Sequence, residues 1–221
     1  MRNLPRAGMI MIGLLVLLGI GAWLILAARQ SGSQSESTPS APNPQAAAEQ
    51  ALETFRQIVT SENYQALGFQ TPDEVKIAQL GQPLKVLRVP LDQLLSFSPD
   101  RKPEDLLVDE SRVIYPITVN EQVRSSIAVE GTDQQWTATD FGNPKLITAL
   151  AQFQQEPSDF IVQIPAFSLY FIARQSDNLL LLTPIVDDTR FGFKTGETLT
   201  ATQAFEAILP FAKKYNGLPD G

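Results

Sequence analysis

The sequence predicts an α+β protein in which one N-terminal transmembrane helix precedes a single domain with a mostly antiparallel sheet and flanking helices. Residues 9–28 form an apolar run without a charged side chain. Beyond residue 113, β-rich runs follow one another through short polar turns, which is typical of antiparallel strands. Amphipathic segments with helix-end signals lie before, between and after these runs. The chain has 221 residues, enough for an anchor, a linker and one domain with its own core.

The apolar run, MIMIGLLVLLGIGAWLILAA, has the length of a membrane span. At about 1.5 Å per residue it makes a helix of about 30 Å, which matches the hydrocarbon core of a bilayer. A secretory signal peptide has a shorter apolar region, about 7–15 residues, with small residues at the −3 and −1 positions of its cleavage site. Cleavage after Ala28 or Ala27 would put Leu26 or Ile25 at −3. We therefore expect a retained signal-anchor helix, with a cleaved signal peptide as the alternative.

The charges that flank this helix predict its orientation. Arg2 and Arg6 precede it, and no acidic residue accompanies them. The positive-inside rule then places residues 1–8 in the cytoplasm and the main domain, residues 46–221, on the other side of the membrane, in a periplasm or lumen. Residues 29–45 are rich in Ser, Gln and Pro, and this composition predicts a flexible linker.

The first part of the domain combines helical and extended patterns. Residues 45–61 predict a helix, because their apolar side chains recur at helical spacing. Residues 71–81 predict a second helix with a capping box, in which Thr71 is the N-cap and Glu74 the N3 residue. A strand over residues 84–90 follows, and then a short helix or turn and a charged surface loop.

A β-meander is predicted next, over residues 113–119, 123–131 and 136–142. Pro116 lies inside the first of these runs and marks an edge strand or a bulge, because proline lacks the N–H group that a central strand needs. Asn143 and the proline after it predict the start of a helix whose apolar face is broad.

A second β-rich block covers residues 159–175, with a bend at Pro165. Residues 179–186 are almost all apolar, which predicts a central strand that is buried on both faces. The last helix begins with a capping box formed by Thr200 and Gln203.

Composition excludes many kinds of catalytic site. The chain has no His and no Cys, so it cannot form a Ser-His-Asp or Cys-His triad or the usual zinc, haem, copper or iron–sulfur ligand sets. The Ser-x-x-Lys and Gly-x-Ser-x-Gly motifs and Gly-rich phosphate loops are also absent from the sequence. We therefore expect no metal and no cofactor. The formal net charge of −7 makes nucleic acid an unfavourable partner.

Carboxylates are the main catalytic chemistry that remains. Glu130, Asp140, Asp187 and Asp188 end or follow predicted strands, where active-site acids often lie. A carboxylate-based hydrolase requires at least two acids in one concave pocket. Solvated acids also end strands in most proteins, so the sequence identifies no catalytic residue.

The segment DDTRFGFKTGETLT, residues 187–200, is the one place where aromatic and basic side chains alternate in this acidic domain. Aromatic and Arg residues are frequent anchors of protein interfaces. Our hypothesis is that Arg190, Phe191, Phe193 and Lys194 bind a protein partner. The alternative is a hairpin whose two Phe rings pack on the core of the same domain.

These observations predict a membrane-anchored, non-catalytic binding or scaffolding protein of a bacterial envelope or internal membrane. The expected partners are the membrane, through the N-terminal helix, and another envelope protein. Two alternatives stay open: a carboxylate-based hydrolase, and a carrier of small apolar ligands, which requires an enclosed apolar cavity.

Overall fold

A computed structural model describes residues 40–132 and 134–215. The predicted transmembrane helix, residues 9–28, and the first part of the predicted linker lie outside the described residues. Within the two described ranges, no helix is both long and apolar enough to cross a membrane. Ala41, in the last part of the predicted linker, already pairs with the sheet, since its N–H and C=O groups both bond to Trp136 at 2.8 Å.

The described residues form four α-helices and nine strands. The helices are α1 (Pro44–Ile58), α2 (Leu91–Leu95), α3 (Pro144–Phe153) and α4 (Ala201–Ala212). The strands are β1 (Gln79–Leu80), β2 (Leu84–Arg88), β3 (Val108–Val119), β4 (Gln122–Thr132), β5 (Gln135–Phe141), β6 (Phe160–Ile164), β7 (Leu169–Ser176), β8 (Leu179–Pro184) and β9 (Leu199–Thr200). Short 3-10 helices lie at Pro72–Ile77, Pro103–Leu106 and Pro165–Phe167.

The strands form a single sheet in the order β5-β4-β3-β2-β6-β7-β8-β9, and β1 pairs with β3 beyond the end of β2. Neighbouring strands are antiparallel except for β2 and β6, which are parallel. Two meanders therefore run outward from a parallel centre. The predicted α+β fold with a mostly antiparallel sheet and flanking helices is confirmed for the described residues.

The helices cover the two faces of the sheet unequally. Ile114 and Ile161 pack with α3, whereas their chain neighbours Tyr115 and Val162 pack with α1 and α4 respectively. Because successive side chains of a strand point to opposite faces, α1 and α4 lie on one face and α3 on the other. We call the second face the α3 face. A single helix of ten residues cannot cover the α3 face. A groove therefore stays open between α3 and the sheet.

The predicted helix at residues 71–81 and the predicted central position of β8 are wrong. Residues 71–81 do not form a capped α-helix: Thr71 makes no side-chain cap bond, and only a short 3-10 helix forms before the chain pairs with β3. Glu74 instead accepts the N–H of Gln70 at 2.6 Å and contacts Arg124 on β4. The strand β8 is second from one edge of the sheet instead of central, and exposed and buried side chains alternate along it, as at Leu179 and Leu180.

Other local predictions are confirmed. Thr200 and Gln203 form the complete capping box of α4. Asn143 begins α3, although its side chain makes no cap bond. Pro116, by contrast, marks neither an edge strand nor a bulge of its own: it pairs in register with Ser126 on β4, and the nearest irregularity falls between Ile117 and Thr118.

Candidate functional site

The strongest candidate for a functional site is a groove of about 450 Å³ between α3 and the α3 face of the sheet. Its volume lies in the range of small-molecule sites. One part of its lining is apolar and comes from both the sheet and the helix: Val86, Ile114, Ala128, Leu146, Ile147 and Leu150. The remainder is polar and includes five charged side chains: Arg88, Glu110, Arg112, Glu130 and Asp140.

Four of these charged residues form two cross-strand ion pairs. Arg112 on β3 lies directly opposite Glu130 on β4, and the two side chains bond. Arg88 on β2 bonds to Glu110 on β3, although the backbone position opposite Arg88 is Val108. The β2–β3 register shifts between Val86 and Leu87, and this irregularity turns Glu110 toward Arg88. The groove therefore carries a row of alternating charges that the sheet holds in place.

One end of the groove, at β5, is rich in hydrogen-bond acceptors. Asp140 is exposed and, among the described residues, its carboxylate makes no hydrogen bond or ion pair. Asn143 has a left-handed backbone, with φ of 57°, and its side chain does not cap α3. The Ser126 hydroxyl donates to the carbonyl oxygen of Gly142, so its lone pairs stay available.

The other end, at β6 and β7, is formed by Gln163 and Tyr170. The Gln163 side-chain amide donates to the Tyr170 hydroxyl oxygen at 2.9 Å. The hydroxyl hydrogen of Tyr170 can then donate to a ligand or to water. Arg88 lies opposite Gln163 in the parallel pairing of β2 and β6, so this end is rich in donors.

The four carboxylates named from the sequence separate into two groups. Glu130 and Asp140 line the groove, together with Glu110. Asp187 and Asp188 lie on the loop between β8 and β9, where their carboxylates bond to other residues of the same loop. Hydrogen bonds from the backbone N–H and hydroxyl of Thr195, at 2.7 and 2.8 Å, lower the pKa of Asp187.

Asp188 is the second loop carboxylate, and its partner is Arg190. Hydrogen bonding to the Arg190 side chain, at 2.7 Å, is the main reason why the pKa of Asp188 lies below its usual value. Across the described ranges, no three His, Cys, Asp or Glu side chains are grouped so that they could hold a metal ion.

Sequence reasoning missed Glu110 and both arginines of the groove. Glu110 falls in a stretch that the sequence predicts to be a surface loop, but β3 already begins at Val108. Arg112 and Ile114 are two residues apart on one strand, so the period of a strand could have predicted that their side chains share a face of the sheet. The pairing of Arg88 with Glu110 was not predictable, because it depends on a register irregularity between strands that are distant in sequence.

The proposed partner-binding residues lie on the loop between β8 and β9. Phe191 and Phe193 are only 8% and 4% exposed and belong to the core beneath α4. Their rings contact three other aromatic rings: Phe167, Phe171 and Phe211. These positions agree with the alternative in which the two rings pack on their own domain.

The two basic residues of this loop lie at the surface. The Arg190 guanidinium stacks 4.9 Å from the centre of the Phe191 ring and also donates to the carbonyl oxygen of Phe167. Lys194 is exposed. Binding of a partner by this loop stays a prediction, and Arg190 and Lys194 are the side chains that would meet the partner first.

A comparison of the chain with protein-family models, curated proteins and solved structures found no match.

Proposed function

We propose that this protein is a single-pass membrane-anchored binding protein whose extracytoplasmic domain recognises its ligand or partner through the groove on the α3 face. The observation that carries the proposal is the convergence of five charged side chains and an apolar helix on one concavity. Sites of this kind, built on strands and a helix, hold their side chains in fixed positions.

Binding fits the groove better than catalysis does. A general acid or base must be within hydrogen-bond reach of the substrate. The carboxylates of Glu110 and Glu130 are instead engaged by Arg88 and Arg112. The groove also does not offer the enclosed apolar cavity of an apolar-ligand carrier, because five charged side chains line it.

A carboxylate-based hydrolase is the second candidate, because Glu110, Glu130 and Asp140 share one concave site. A hydrolase converts its substrate to product, whereas a binding protein only holds its ligand. Hydrolysis of nitrophenyl glycosides, phosphates or esters by the full chain, lost in Asp140→Asn, would favour the hydrolase over the binding protein.

The membrane anchor is the second part of the proposal, and the length of residues 9–28 and the two arginines before them support it. We expect the mature chain to keep this segment and to stay in the membrane fraction after an alkaline carbonate wash. N-terminal sequencing of the mature protein checks this. A chain that begins after Ala27 or Ala28 would show that the segment is a cleaved signal peptide.

Exchange of the partners in one ion pair tests the groove. The double variant Arg112→Glu/Glu130→Arg keeps a cross-strand pair but reverses the charge pattern that a ligand meets. We expect an unchanged melting temperature and loss of the chains that co-purify with the detergent-solubilised wild type. Affinity capture from native membranes, followed by identification of the co-purifying chains, measures this.

The matched control exchanges Lys76 and Asp73, which form an exposed ion pair at 2.6 Å outside the groove. The variant Lys76→Asp/Asp73→Lys should retain the co-purifying chains. Equal capture by both exchange variants and the wild type would contradict the groove as the binding site.

A further inference from the structure

We infer that the groove binds a primary ammonium group carried on an aliphatic chain, with the ammonium at the Asp140 end. This inference rests on the proposed function, because it names the ligand chemistry of the same groove. It depends on how charge, hydrogen-bond acceptors and apolar surface are distributed along the groove.

The charge balance of the groove favours a cation. Arg88 and Arg112 are each engaged by a glutamate, so the two ion pairs cancel. Asp140 has no basic partner among the residues that the structure describes. One negative charge therefore remains, and it lies in a domain that is itself acidic. A cationic ligand is attracted to this end, and an anionic one is repelled.

The acceptors at this end match the three N–H groups of a primary ammonium. Asp140 lies opposite Ala128 in the β4–β5 pairing, and Ser126 is two residues from Ala128 on the same face of β4. Asn143 follows at the start of α3. Side chains with carboxylate, hydroxyl and amide oxygens from three elements thus line this end of the groove. An ammonium group has three donors and no acceptor, so it can use all three oxygens.

The apolar lining accounts for the aliphatic chain. Leu146, Ile147 and Leu150 of α3 form one wall, and Ile114 and Ala128 form part of the floor. A methylene chain that extends from the ammonium toward β6 would lie against these side chains and leave the two ion pairs undisturbed.

Other cations fit this end less well. A quaternary ammonium has no N–H to donate and is usually held by aromatic rings, but the groove's one aromatic side chain, Tyr170, lies at the opposite end. A guanidinium is planar and suits a bidentate carboxylate, so it would pair with Asp140 but would use the acceptors of the other two elements less well than an ammonium group does.

The same chemistry occurs in a free alkylamine and in a lysine side chain of a partner. The test therefore uses both probes, pentylamine and a blocked lysine (Nα-acetyl-lysine N-methylamide), with the full chain in phosphatidylcholine nanodiscs. Ligand-observed NMR titration measures the affinity. We expect at least one of the two probes to bind the wild type, and binding to weaken by about tenfold or more in Asp140→Asn, because a charged hydrogen bond is lost.

Two matched controls accompany this titration. Asp100→Asn removes the same charge at an exposed position outside the groove and should leave the affinity unchanged. Trimethylpentylammonium and pentylguanidine have the same alkyl chain but a different cation and should bind more weakly than pentylamine. If the blocked lysine binds and pentylamine does not, the natural ligand is a lysine side chain of a partner protein.

Several outcomes would overturn the inference: no binding of either probe, unchanged affinity in Asp140→Asn, or binding of the guanidine or trimethyl analogue as tight as that of the amine. The proposed function fails separately. If neither probe binds but the Arg112→Glu/Glu130→Arg exchange still abolishes capture, only the ligand class is wrong. If capture also survives the exchange, the groove is not the binding site.

Discussion

Replacement of Phe191 and Phe193 by alanine is expected to lower the melting temperature by roughly 12–40 °C, or to unfold the domain. Both rings are buried, and they contact each other at 5.6 Å between centroids. Deletion of a buried Phe side chain costs about 3–5 kcal/mol. In a domain of this size, each kcal/mol lowers the melting temperature by about 2–4 °C. Calorimetry of the full chain in detergent measures the effect.

Lys194→Glu is the matched variant for this loop, because the side chain is exposed and no core contact is lost. Its melting temperature should stay close to that of the wild type, since exposed substitutions change stability by about 0.5 kcal/mol or less. Lost co-purification of a partner in Lys194→Glu would support the partner-binding hypothesis for this loop. An unchanged melting temperature in the double Phe variant would contradict the packing of the two rings in the core.

Asp159→Ala is expected to destabilise the domain by about 2–3 kcal/mol, the usual cost of leaving buried hydrogen-bond donors without their acceptor. The Asp159 side chain is fully buried, and both of its oxygens accept from Arg174 at 2.7 Å. It also accepts the N–H groups of Gln155 and Glu156, at 2.8 and 3.0 Å. The substitution leaves these donors without their acceptor. Chemical unfolding of the full chain measures the loss.

The contribution of Asp159 to the free energy of unfolding should depend on pH. Burial alone would raise the pKa of Asp159, but hydrogen bonds from Arg174 and from the N–H groups of Glu156 and Gln155 outweigh burial and lower it. A lowered folded-state pKa means that the stabilisation is complete above the unfolded pKa, about 4, and is lost as the pH falls through the folded value. The stability difference between wild type and Asp159→Asn should therefore shrink below about pH 4.

Asp73→Ala is the control for Asp159, because Asp73 is in an exposed ion pair with Lys76. Such pairs contribute about 0–1 kcal/mol, so this variant should unfold almost as the wild type does. A loss of less than about 1 kcal/mol in Asp159→Ala would contradict the role of the buried pair.

Local signals of the sequence predicted local structure well. The capping box of Thr200 and Gln203 needs only residues of its own helix, and it forms as expected. The capping box at Thr71 fails because Glu74 finds a partner on β4 and the following residues pair with β3. Pairing with distant strands overrode a valid local pattern there, and no local rule predicts that pairing.

The candidate site was predictable only in part. Glu130 and Asp140 could be named from the ends of strands, but nothing in the sequence set them apart from Asp187 and Asp188, which hold a loop. Strand order and register decide which of the four carboxylates line the groove and which lie on the loop, and both are properties of the whole sheet. The sequence marks the two Phe residues of the loop as unusual, but their burial depends on the position of α4, which packs against them.

Hydrogen–deuterium exchange tests the groove as the binding site most directly. The full chain would be compared with and without its captured partner or bound amine, with attention to residues 137–147, which include the end of β5, Asp140, Asn143 and the start of α3. These amides lie at the edge of the sheet and at a helix start, where exchange is fast enough to report binding. We expect slower exchange in this segment and unchanged exchange in α1 (Pro44–Ile58), which lies on the opposite face of the sheet. Unchanged exchange across residues 137–147, with protection elsewhere on the domain, would contradict the groove as the binding site.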